Sequence, residues 1–156
     1  LLANMLDSQG LRVGMTSTDG VYIDRQRIDT GDCAGPKSAK KVLRHPDVDA
    51  AVFETARGGV LREGLGFDRC DVAVVTNIGT GDHLGMSYVD TVEDLTAVKR
   101  VIVQNVAPGT GMAVLNAADP LVVSMAAHCP GSVTFFARDR NNPVIVRHRA
   151  QRKFVS

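Results

Sequence analysis

The residues of this chain best suited to chemistry gather where apolar runs end. Asp71-Val72-Ala73-Val74-Val75 reads as a buried parallel strand and empties into Thr76-Asn77-Ile78-Gly79-Thr80-Gly81-Asp82-His83-Leu84-Gly85, a polar turn ending in an Asp-His pair. Upstream, Ala50-Ala51-Val52-Phe53 is a second apolar run that stops at Glu54-Thr55. Met112-Ala113-Val114-Leu115-Asn116 is a third, followed by Asp119, and Leu11 to Thr16 is a fourth that runs into Thr16-Ser17-Thr18. In open α/β sheets ligands collect beyond the carboxyl ends of strands, so these polar groups are placed where a site would form. Carboxylate and hydroxyl oxygens suit a hard cation such as Mg²⁺, which takes one or two protein groups plus phosphate oxygens. Histidine is a less usual magnesium partner. Each residue also has a plain alternative: a solvated strand-end carboxylate for Glu54, a turn histidine satisfied by Asp82 for His83, and a helix cap or turn former for Asn116.

The elements that must position these groups follow from spacing. Leu1, Leu2, Met5 and Leu6 have helical periodicity, with Gly10 as a stop. Val21-Tyr22-Ile23 and Arg27-Ile28 flank Asp24-Arg25-Gln26 and predict a small hairpin over residues 21–29. Pro36 suits the first turn of a helix that runs through Leu43, and His45-Pro46 ends it. A short helical stretch from Arg57 reaches Arg62. A longer helix, Thr91 to Val106, carries Leu95, Val98, Ile102 and Val106 along one side until Pro108-Gly109. Asp119-Pro120 opens a helix through Ala127, Val133 to Phe136 is a last strand, and Pro143 begins an Arg-rich helical tail. Strands alternating with helices predict an α/β fold, a mainly parallel sheet with helices on both faces.

The 156 residues are enough for one domain with a real core, and a net charge of +1 gives no basic field for nucleic acid or a membrane surface. No apolar run reaches the length of a membrane span, and Cys33, Cys70 and Cys129 read as reduced thiols of a cytoplasmic protein.

Taken in order and spacing, several segments are similar to the central ATP-binding domain of the Mur ligase family, with its P-loop-type fold. They are Val13 to Ile23, Gly31-Asp32-Cys33-Ala34-Gly35-Pro36, Glu54-Thr55-Ala56-Arg57-Gly58-Gly59-Val60-Leu61-Arg62, Gly64 to Asp71, Asn77-Ile78, Asp82-His83-Leu84-Gly85 and Val114-Leu115-Asn116-Ala117. The resemblance implies an ATP-dependent ligase that forms amide bonds through an acyl-phosphate. By the same resemblance Glu54 holds Mg²⁺ on the ATP phosphates, and His83 serves a second Mg²⁺ near the acyl-phosphate. Lys99 matches a lysine that is carbamylated in many members, or is an ordinary helix lysine. Asn116 matches the asparagine that reads adenine, with Asp119 and Thr16 also on the nucleotide side. Arg57 and Arg62 are placed to grip a substrate carboxylate, or are surface arginines.

The Glu-Thr-Ala-Arg-Gly-Gly and Gly-Asp-Cys-Ala-Gly-Pro stretches point to a narrower branch, in which arginine is joined to side-chain carboxylates of a poly-aspartate backbone. The expected partners are arginine and a poly-aspartate primer, with the parent enzyme a homo-oligomer. The alternatives are another Mur-type amino-acid ligase, acting on folate or cell-wall peptides, and a truncated relative that only binds a nucleotide or a partner chain. Residues 1–156 are expected to be a partial central domain, without the family's upstream phosphate loop and carboxy-terminal ligase domain, and inactive alone. The turn from Asn77 to His83 is about one residue longer than the common family form, and Ala118 replaces the usual acid after Asn116-Ala117.

Overall fold

The alternating apolar stretch after Leu11 becomes β1 (Val13–Ser17) in the computed structural model, which describes residues 1–79 and 89–152. Two units, Leu1–Asp68 and Arg69–Ser156, make up the chain, and each has its own sheet. In the first, β2 (Gly20–Ile23) and β3 (Gln26–Thr30) form the expected hairpin, and β4 (Ala50–Phe53) completes a four-stranded sheet in the order β3-β2-β1-β4. The β1–β4 pair is parallel, with Val13 opposite Ala50 and Thr16 opposite Phe53. β2 instead folds straight back on β1, closing through Ser17 and Gly20. That antiparallel pairing carries the strand one residue beyond its expected end at Thr16, drawing in Ser17.

The helices α1 (Leu2–Asp7) and α2 (Pro36–Leu43) pack on this sheet, and α3 (Arg57–Glu63) follows β4. Val21, Ile23, Cys33 and Val42 form the core, joined by Val48 and Phe53. Gly14 is required here, because a Cβ at that position would stand 2.2 Å from Val42 Cγ1. At the opposite end of β1, Arg12 donates from its backbone N–H and from Nε to Asp49 Oδ2, each at 3.0 Å, which ties the starts of β1 and β4 together.

The Arg12 hydrogen bonds hold the Asp49 carboxyl below the ordinary aspartate value of 3.8. A depressed carboxyl stabilises the fold above its unfolded value, and the contribution is lost as pH falls through the folded value. Thermal unfolding should therefore show a stability loss below pH 3.8. Asp49→Asn is expected to flatten that acid slope and lower the melting temperature at neutral pH.

The second unit is built on a parallel sheet in the order β5-β6-β7, from β5 (Val72–Val75), β6 (Met112–Asn116) and β7 (Ser132–Phe136). Alternate residues Ala73, Val75, Ala113 and Leu115 pack with Leu95 and Val103 of α4 (Val92–Gln104) and with Val122 of α5 (Pro120–Ser124). Leu95 is fully buried and Val98 and Ile102 pack beside it, so the expected apolar stripe is the buried side of α4, although the helix ends before Val106, which is buried just beyond it. Thr91 and Asp94 form a reciprocal capping box at its start. α5 is shorter than expected and tightens into a 3₁₀ turn over Met125–His128, while α6 (Pro143–Arg152) packs on β7. Among the described residues three strand pairings are parallel and two antiparallel, the latter both in the first sheet, in keeping with the mainly parallel α/β reading.

Candidate functional site

In the first unit the parallel β1–β4 register brings Thr16 and Glu54 to the same strand end. Glu54 follows β4 directly, and its backbone N–H donates to the Thr16 carbonyl at 3.0 Å. Its exposed carboxylate accepts from the Thr18 N–H at 3.2 Å through Oε2. Thr16 is buried, and its hydroxyl has no hydrogen-bond partner among the described residues.

The segment from Cys33 to Gly35 crosses this edge, with the Cys33 N–H on the Ser17 carbonyl and the Ala56 N–H on the Ala34 carbonyl. Gly35, Pro36, Phe53, Glu54, Val60 and Phe67 line a shallow depression, in which Phe53 and Phe67 stack with centroids 5.7 Å apart. Gly66, at φ +82°, lets its loop close on α2, since a Cβ there would lie 2.7 Å from the Pro36 carbonyl oxygen. Arg57 is the first residue of α3, and the Arg62 guanidinium folds back along it, so that a Cβ on Gly58 would be 3.3 Å from Nη1.

The second unit gathers Lys99, Asn116 and Asp119 around the turn Thr76–Gly79 that leaves β5. Asn116 Nδ2 donates to the Thr76 carbonyl at 2.8 Å, and its Oδ1 accepts from the Ala118 N–H at 2.9 Å. Asp119 caps α5 by accepting from Leu121 and Val122 N–H through Oδ1. Its Oδ2 accepts from the Ile78 N–H at 2.7 Å. One carboxylate thus starts a helix and pins the strand-end turn. From α4, Lys99 Nζ reaches the Asn77 carbonyl at 3.5 Å. The Asp82-His83 pair lies outside the described residues.

Magnesium suits this donor set at Glu54. The Thr18 bond uses one lone-pair position of the carboxylate, and the others are hard oxygen sites of the kind Mg²⁺ takes alongside water and phosphate. No cluster of three His, Cys, Asp or Glu occurs among the described residues. Sequence reasoning missed the Thr18 N–H because backbone contacts leave no residue-type signature. It also missed Asp19, whose only signal is the Thr-Asp-Gly turn with Tyr22 close behind. Among the described residues no helix is long and apolar enough to cross a membrane.

The Mur ligase middle domain family matches residues 1–155. Cyanophycin synthetase of Synechocystis sp. is 50% identical over 95% of this chain, and that of Geminocystis herdmanii is 47% identical over the same share. The chain spans about 17% of the length of each of these relatives. A solved structure of UDP-N-acetylmuramoyl-L-alanyl-D-glutamate–2,6-diaminopimelate ligase superposes with a TM-score of 0.71 at 21% identity, covering 90% of this chain and 29% of that one. An α/β fold with Glu54 at a strand end, a match over nearly all its residues and this shared architecture lead to one conclusion: the chain belongs to the Mur ligase middle-domain family.

Proposed function

We propose that this chain is the ATP-binding middle part of a cyanophycin-synthetase-type ligase, which joins arginine to the side-chain carboxylates of a poly-aspartate backbone. The observation that carries this reading is the 50% identity to a cyanophycin synthetase over 95% of the chain. In the reaction an aspartate carboxylate oxygen attacks the γ-phosphorus of ATP, and ADP leaves with the electron pair of the broken P–O bond. The α-amine of arginine then attacks the acyl carbon, phosphate departs, and the amine loses a proton. Such chemistry depends on alignment and on neutralising charge that develops on phosphate oxygens.

Glu54 would hold the magnesium, which when bound screens the phosphate charge. His83 would serve a second magnesium beside the acyl-phosphate, with Lys99, carbamylated, as its further carboxylate. Asn116 still has an amide N–H beyond the one given to Thr76 for reading an adenine edge. Asp119 and Thr16 belong to the nucleotide side in this reading, Asp119 chiefly by fixing the Thr76–Gly79 turn. Arg57 and Arg62 would grip carboxylates of the acidic polymer. The parent protein would be a cytoplasmic homo-oligomer.

A panel of acceptors tests the assignment in the full-length protein. Arginine with an aspartate-rich primer is expected to drive ADP release, and glutamate with folate or cell-wall peptide precursors is expected to leave it at background. ADP release with either of the latter pairs, and none with arginine, would replace this reading by another Mur-type ligase. Magnesium-dependent nucleotide binding without ligation of any pair would leave a binding-only relative.

A further inference from the structure

The Glu54 carboxylate is oriented by a turn whose own conformation needs support. Its Oε2 accepts from Thr18 N–H, and Thr18 with Asp19 forms the two-residue connection between β1 and β2. Connections of that length favour turns with positive φ. The neighbouring hairpin obeys, with Asp24 at φ 45° and Arg25 at φ 65°, but neither Thr18 nor Asp19 takes a positive φ. The glycine that follows serves another purpose, since a Cβ on Gly20 would lie 2.5 Å from the Asp29 carbonyl oxygen of β3.

What braces the Thr18–Asp19 turn is the Asp19 side chain. Tyr22 OH donates to Oδ2 at 2.8 Å, and Ser17 Oγ donates to Oδ1. The Ser17 bond, then the Tyr22 bond, hold the Asp19 carboxyl below its ordinary value, so it stays an ionised double acceptor at neutral pH. One hydroxyl comes from β1 and the other from β2, so the carboxylate clips the two strands together across the turn.

We propose that Asp19 is a positioning residue for the cation held by Glu54: by bracing the turn it aims the Thr18 N–H at Oε2 and fixes the rotamer in which Glu54 offers its remaining lone pairs. The proposal rests on the reading of Glu54 as the magnesium ligand. A glutamate on an exposed strand end otherwise samples several rotamers, and a cation binding it must first order the side chain. The braced N–H removes that cost beforehand. Hydrogen bonds that orient a metal-holding group typically change metal affinity by about 10–100-fold when lost.

Manganese is a paramagnetic stand-in for magnesium, and its equilibrium binding to the full-length protein with a non-hydrolysable ATP analogue reads the effect without turnover. Glu54→Gln is expected to remove one class of Mn²⁺ site. Asp19→Ala is expected to weaken that same class about tenfold, and Asp19→Asn, which keeps an acceptor oxygen, to recover most of the loss. Tyr22→Phe leaves the Ser17 bond in place, should weaken the class only a few fold, and serves if Asp19→Ala does not fold. The proposal fails if the folded Asp19 and Tyr22 variants bind Mn²⁺ within about twofold of the native protein while Glu54→Gln loses the class. Native Mn²⁺ affinity in Glu54→Gln would instead overturn the reading of Glu54, and the proposal with it.

Discussion

Glu54→Gln is expected to lower arginine ligation by the full-length protein by about a hundredfold to a thousandfold, with its thermal stability unchanged. Glutamine has the same length as glutamate and keeps an oxygen to accept from Thr18 N–H, so the strand end retains its hydrogen bonds. What it loses is the negative charge on which the proposed magnesium binding depends. Glu54 is solvent-exposed, and surface changes of this kind ordinarily move stability by less than about 0.5 kcal/mol. Loss of rate without loss of stability separates a ligand from a structural carboxylate. Glu54→Asp, one methylene shorter, should recover part of the rate when magnesium is raised. A Glu54→Gln protein that ligates normally at limiting magnesium would remove this residue from the site.

Asp119→Ala is expected to produce the largest loss of stability among the candidate site residues, about 2–4 kcal/mol in urea unfolding of this chain. Two costs combine. Removing Oδ1 leaves α5 without its cap for Leu121 and Val122 N–H, and losses of this type run at about 1 kcal/mol. Removing Oδ2 leaves the N–H of Ile78, a buried residue, without its acceptor, at about 1–3 kcal/mol. Asp119→Asn separates the two effects, because an amide can still cap the helix through oxygen but then turns an N–H toward the Ile78 N–H. Amide exchange at Ile78 should accelerate in both variants, and exchange at Val122 chiefly in the alanine variant. If Asp119→Ala unfolds within about 0.5 kcal/mol of the native chain, the clamp between α5 and the strand-end turn does not carry stability.

The contrast between these residues shows what a sequence discloses. The α4 stripe was legible because burial of one helix side imposes a period of 3.6 on residue type, and β4, β5 and β6 because they are short, continuous apolar runs bounded by polar residues. The β1–β2 pairing was not, because Thr16 and Ser17 suit a strand or a turn equally, and only their partner Gly20-Val21 decides. At the site, Glu54 and Asn116 stood out by type and position. The clamp made by Asp119 was hidden because its key partner, the Ile78 N–H, lies 41 residues away in sequence and belongs to the backbone. The Asp19 brace was hidden for the same reason, since it acts on Glu54 through the Thr18 N–H.

The measurement closest to the central claim is the mass of an aspartate-rich primer after incubation with the full-length protein, ATP, magnesium and arginine, with ADP counted in the same reaction. The primer should gain one arginine residue for each ADP released, with both changes absent when either arginine or primer is withheld. ADP release with no arginine on the primer, or arginine addition without ADP, would contradict ligation through an acyl-phosphate.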